Sequence, residues 1–147
     1  MSDSILKDKT ILFVEDHPEA IVYFVETMRE AGATVRVRRR ISSALDLLEK
    51  KIRVDFVCID LFLDETDERL DRFVREVQQT GTNQGQLLGL YLQERDIPYL
   101  YLTASRSWFV KNDKEKHIQA FTKDSGKYDQ IIQYMEKKFS AAGEETA

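Results

Sequence analysis

The strongest constraint on the fold of this chain is the alternation of five short apolar runs with stretches of helical period. "TILFV" (10–14), "TVRVR" (34–38), "DFVCI" (55–59), "YLYLT" (99–103) and "IQAFT" (118–122) are β-branched or aromatic and end in polar or turn residues, so each reads as a strand. Between the first two, Ile21, Phe24, Val25 and Met28 recur at helical spacing, and Gly32 follows where a helix C-terminus favours a left-handed residue. Ser42 or Ser43 is placed to cap a second helix carrying Ala44, Leu45 and Leu48. Leu87, Leu90 and Tyr91 line another helix, which must end before Pro98, and Tyr128, Ile131, Ile132 and Met135 line the last. A short helix is expected around Trp108 and Phe109, within 105–117. Strands alternating with helices call for right-handed crossovers and a parallel sheet covered on both faces, a three-layer α/β/α sandwich. At 147 residues the chain suits one such domain, expected over 1–139, with the small, acidic "SAAGEETA" (140–147) fraying.

The formal net charge of −4 offers no broad cationic field for a phosphate backbone, which argues against a nucleic-acid partner. The local run "RVRRR" (36–40) reads as the solvated face of a strand entering a loop. The single cysteine, Cys58, has no partner for a disulfide and lies in an apolar run, as a buried thiol would. No signal-peptide core opens the chain, and no uncharged run approaches the roughly 20 residues that span a bilayer, so no membrane is expected and the protein is placed in the cytoplasm.

In open parallel sheets, ligands bind beyond the carboxyl ends of the strands. Those positions hold Glu15 and Asp16 after strand one, Asp60 after strand three, Thr103 after strand four and Lys123 after strand five. Carboxylates packed together raise one another's pKa unless a cation intervenes, and oxygen-only ligands favour Mg²⁺ or Mn²⁺ over zinc. His17 and His117 have no second nitrogen or sulfur ligand nearby and read as loop and solvated residues.

Four motifs in order, "ILFVEDHPEA", "DFVCIDL", "LYLTAS" and "QAFTK", resemble the receiver domain of two-component response regulators over nearly the whole chain. The resemblance implies a flavodoxin-like, doubly wound five-stranded sheet and a phosphoprotein of a phosphorelay signal transduction system. Asp60 corresponds to the aspartate that accepts a phosphoryl group from a sensor histidine kinase or phosphotransfer protein. Asp16 and Asp60 correspond to Mg²⁺ ligands, together with the backbone carbonyl of Phe62, and Glu15 acts through water. Thr103 corresponds to the hydroxyl that binds the arriving phosphoryl group, and Lys123 to the lysine that pairs with it. The implied role is phosphorylation-controlled binding of a downstream protein. Transfer to Asp60 and hydrolysis from it are self-catalysed, and the protein is not otherwise an enzyme.

Three departures stand out. Asp124 follows Lys123 where the family has a proline after a cis bond, so a trans peptide and a different reach of Lys123 are expected. The switch aromatic, three positions before the lysine, is here Ala120, and Phe121 faces the other side by strand alternation. Finally, Asp60 precedes Gly85 by 25 positions, an insertion after the phosphoacceptor strand. Within it Leu70, Phe73, Val74 and Val77 have helical spacing and Gly81 follows, so a helix is expected over about 66–80, capped by Thr66, with Asp67 and Glu68 solvated in its first turn. Its apolar stripe either folds back on this domain, the favoured reading, or forms a homodimer or partner surface. Asp64 and Glu65, between Asp60 and this helix, are left unassigned. Two other functions compete: a degenerate receiver that binds a partner constitutively, and a metal-dependent phosphoryl enzyme, which Phe62 disfavours by standing where a second acid is required.

Overall fold

The computed structural model describes residues 5–77, 83–104, 115 and 117–146. Five parallel strands form one sheet in the order β2-β1-β3-β4-β5: β1 Thr10–Val14, β2 Thr34–Arg38, β3 Phe56–Asp60, β4 Tyr99–Thr103 and β5 Ala120–Thr122. The helices are α1 Val22–Glu30, α2 Ile41–Glu49, α3 Asp71–Val77, α4 Gln84–Glu94 and α5 Tyr128–Thr146. This is the expected flavodoxin-like sandwich. The third strand lies one residue later than its apolar run, because the pairing of Asp60 with Leu102 carries the ladder into the polar end. The fifth begins at Ala120, since only Ala120, Phe121 and Thr122 pair with β4. No helix is long and apolar enough to cross a membrane among the described residues.

Alternation along the strands separates two cores. Ile11, Phe13, Phe56, Cys58, Leu100 and Leu102 face α1 and α5, which contribute Phe24, Met28, Ile131 and Met135. Leu12, Val14, Val57, Ile59, Tyr99 and Tyr101 face α2 and α4. Cys58 is buried, and burial pushes its thiol far above the ordinary range, so it is inert. Gly32 takes φ 102° after α1, the left-handed conformation expected of it. α5 runs to Thr146, past residue 140 where fraying is expected. Trp108, Phe109 and Gly81 lie outside the described residues.

The segment read as an insertion folds back on its own chain. A 3-10 turn over Glu68–Leu70 leads into α3, and both contact α4. Leu70 and Phe73 are buried in the core facing α4, whereas Val74 is 55% exposed, so the apolar stripe is narrower than its spacing predicts. The tighter 3-10 turn changes the phase at which residues 68–70 meet the core. Thr66 is exposed and Asp67 is the cap, its carboxylate accepting from Arg69 N–H at 2.8 Å. Asp67 is not solvated as expected: the Arg69 guanidinium covers it and also reaches Asp46, Glu49 and the carbonyl of Ser42, lashing the insertion to α2. Neither Ser42 nor Ser43 caps α2. Glu65 does so from outside, accepting from Ser42 N–H at 3.0 Å, with Arg40 3.9 Å away.

Candidate functional site

Parallel pairing places the exits of β1, β3, β4 and β5 on one rim. Glu15 and Asp60 are both buried there, 1% and 6% exposed, and buried charge demands a partner. Lys123 supplies it: its Nζ lies 2.7 Å from Glu15 and 3.5 Å from Asp60. The reach of Lys123 therefore survives the change from proline to Asp124. Its backbone is held by donation from Lys123 N–H to the Thr103 carbonyl at 3.0 Å, and the described residues contain no cis peptide. Thr103 is buried one residue beyond Leu102, the register partner of Asp60.

Asp60 is the most perturbed of the acids. Burial, then a hydrogen bond to Asp16 and the charge of Glu15, push it up to about 7, against the opposing effect of Lys123 and the Phe62 N–H at 3.1 Å. Burial also works against ionisation of Asp16, but its hydrogen bond to Asp60 and the nearby His17 outweigh this and hold it below its ordinary value. Glu15, Asp16 and His17 each present one donor atom within 4.8 Å of one another. An oxygen-rich, solvent-reached cluster whose acids repel one another fits a hard divalent cation such as Mg²⁺ or Mn²⁺.

Two or three strand-end acids and a lysine occur on many sheets, so the path of the chain between them carries the comparison. No family model matches the sequence, and no curated protein does. Solved structures do match. The N-terminal domain of a response regulator/sensory box/GGDEF three-domain protein from Carboxydothermus hydrogenoformans has TM-score 0.68 at 19% identity, covering 95% of this chain and all of that one. A response regulator protein from Thermotoga maritima in complex with Mg²⁺-BeF has TM-score 0.62 at 17% identity, covering 88% of this chain and 98% of that one. A response regulator receiver protein from Sinorhizobium medicae has TM-score 0.63 at 15% identity, over 92% and 98%. This chain has the receiver-domain fold.

In the receiver frame the acids, Lys123 and Thr103 fall at the expected strand ends, and the structure gathers Glu15, Asp16, Asp60 and Lys123 into one cluster. Phe62 contributes its N–H to Asp60, and the residue is 40% exposed. His17, read from sequence as a plain loop residue, edges the cluster: its N–H donates to Glu15 at 3.1 Å and its Nδ1 lies 3.0 Å from Asp16. Adjacency to the acidic pair was the signal for it. Asp64 is exposed and, with Asp16, Arg39, Arg40, Ile41, Leu63 and Glu65, lines a cavity of about 490 Å³ on the Asp16 side. Phe121 is buried on the α5 face against Tyr134, as strand alternation predicts, so no aromatic of β5 faces the α4 side.

Proposed function

We propose that this protein is a phosphoacceptor receiver of a two-component or phosphorelay system. The observation that carries this reading is Lys123 bridging buried Glu15 and Asp60 beside Asp16, at the strand ends of a receiver fold. Asp16 and Asp60 would hold Mg²⁺, with Glu15 acting through water, and the Phe62 carbonyl is the further ligand implied by the resemblance. The cation supplies charge neutralisation as negative charge spreads over the transferred phosphoryl oxygens. Asp60 is the nucleophile: a carboxylate oxygen bonds to phosphorus as the donor's N–P or O–P bond breaks, and the leaving group takes a proton. Lys123 offsets charge on the phosphoryl group and Thr103 donates a hydrogen bond to it. The added charge, about −1.5 to −2 at neutral pH by analogy with other phosphorylated side chains, then biases a partner-binding surface. The donor partner is a histidine kinase or phosphotransfer protein acting in the cytoplasm, and the output is a bound protein.

Ala120 and Asp124 favour the alternative of a degenerate receiver that binds constitutively. One experiment separates the two. Incubation with Mg²⁺ and a small acyl phosphate, followed by intact mass, is expected to show one phosphoryl adduct that is absent in Asp60→Asn and without Mg²⁺. No adduct with any phosphodonor would leave the constitutive binder as the function.

A further inference from the structure

A second buried polar cluster lies between β4 and α4. Glu115 has no exposed surface, and it gathers groups from two other elements. The Tyr99 hydroxyl donates to its Oε2 at 2.6 Å, the Tyr101 hydroxyl donates to the same oxygen, and Gln86 Nε2 donates to Oε1 at 3.3 Å. Gln93 Nε2 extends the chain by donating to the Tyr99 hydroxyl at 2.9 Å. Burial pushes the Tyr99 and Tyr101 hydroxyls far above their ordinary range, so both remain protonated donors. Gly89 makes room for the cluster: a Cβ there would lie 2.2 Å from the Tyr101 hydroxyl and 2.9 Å from Glu115. A buried network satisfied in this way holds its elements in one arrangement.

Two members of the network adjoin the acidic site through the backbone. Tyr101 precedes Thr103 by two residues and so shares its face of β4. Gln86 stands in the first turn of α4 beside Gly85, where a Cβ would come within 2.5 Å of the Asp60 carbonyl oxygen and 2.8 Å of that of Leu61. The first turn of α4 thus lies on the backbone of the phosphoacceptor. The register partner of Tyr101 on β5 is Ala120, so the aromatic on this face belongs to β4 and carries a hydroxyl fixed to Glu115.

We propose that Tyr101, Gln86 and Glu115 form a positioning network that couples the backbone at Asp60 and Thr103 to the backbone at Ile118, so that occupation of Asp60 is transmitted there through the packing of α4 on the Asp60 carbonyl, the β4 backbone and these buried hydrogen bonds. The Ile118 N–H donates to the Glu115 carbonyl at 3.0 Å, which makes its exchange with solvent a reporter. This rests on the reading of Asp60 as phosphoacceptor.

The test is amide hydrogen exchange at Ile118, followed by NMR in the full chain with and without Mg²⁺ and beryllofluoride. Binding at Asp60 is scored separately by shifts of the Asp16 and Phe62 amides. In wild type, beryllofluoride is expected to change Ile118 exchange about threefold or more. Tyr101→Phe should abolish that change while retaining the Asp16 and Phe62 shifts. Tyr134→Phe, which removes a buried hydroxyl bonded to the Tyr99 carbonyl on the opposite face, should retain it. A merely structural hydroxyl would alter exchange equally with and without the ligand, leaving the ratio untouched. Binding at Asp60 with no response at Ile118, or an unchanged ratio in Tyr101→Phe, overturns the proposal. Absence of any Asp16 or Phe62 shift in wild type instead overturns the phosphoacceptor reading beneath it.

Discussion

An ionised Asp60 is held at a cost, because the site buries it against Glu15 and Asp16, with Lys123 offsetting them. Its pKa in the folded chain, about 7, lies above the unfolded value near 3.8, so the folded state binds the extra proton between these limits. Stability therefore falls as pH rises through that window, and the cost is fully present above about 7. Asp60→Asn, which carries no charge, should be more stable than wild type at pH 8 by about 1–2 kcal/mol, allowing for solvent screening at the open rim. The gain should vanish near pH 4 and shrink at pH 8 in excess Mg²⁺. Thermal denaturation at the three conditions checks this, and an equal gain at pH 4 would exclude the carboxylate charge as its source. Lys123→Met, which strands two buried acids, should be destabilised by about 3 kcal/mol in the same measurement. Glu15, Asp16, Asp60 and Lys123 were legible because a strand end fixes a position from local pattern alone. Glu65 and Glu115 were not: one caps a helix 23 residues away and the other meets hydroxyls 14 and 16 residues away, pairings that only the folded chain creates.

At the scale of elements, periodicity located the strands and α1, α2, α4 and α5, but the partner of each face came from packing. Leu70, Phe73 and Val74 look equivalent in sequence, yet α3 buries the first two and leaves Val74 exposed. Phe73→Ala should cost about 3–4 kcal/mol, and Val74→Ala less than about 0.5, by urea denaturation. Similar costs at both positions would mean that α3 presents a different face to α4. Gly89 inverts an ordinary rule. Glycine to alanine inside an exposed helix gains up to about 1 kcal/mol, but here the methyl would meet Tyr101, Tyr99 and Glu115 within 2.9 Å. Gly89→Ala should instead destabilise by roughly 2 kcal/mol or more. A stabilised Gly89→Ala would show that α4 can move away from β4 at little cost, and would weaken the case for a rigid network there.

For the molecule as a whole, the segment between β3 and α4 is part of the domain rather than an appendage. Leu63, Leu70 and Phe73 belong to the same core as Leu87, Leu90 and Tyr91 of α4 and Ala44, Leu45 and Leu48 of α2, and Arg69 fastens the segment to α2 through Asp46 and Glu49. The apolar stripe in the sequence required burial somewhere, but nothing in the sequence specified which surface. Packing on α4 buries Leu70 and Phe73 of it and leaves Val74 outside. Replacing residues 66–81 with a short Gly-Ser link should therefore lower the thermal midpoint by about 5 °C or more and produce concentration-dependent association, measured by sedimentation at two protein concentrations. The link leaves Glu15, Asp16, Asp60 and Lys123 in place, so acyl-phosphate labelling of the shortened chain should persist wherever it remains folded. A shortened chain that is monomeric and melts with the wild type would show that α2 and α4 close on each other without the insertion, leaving α3 free to serve a partner.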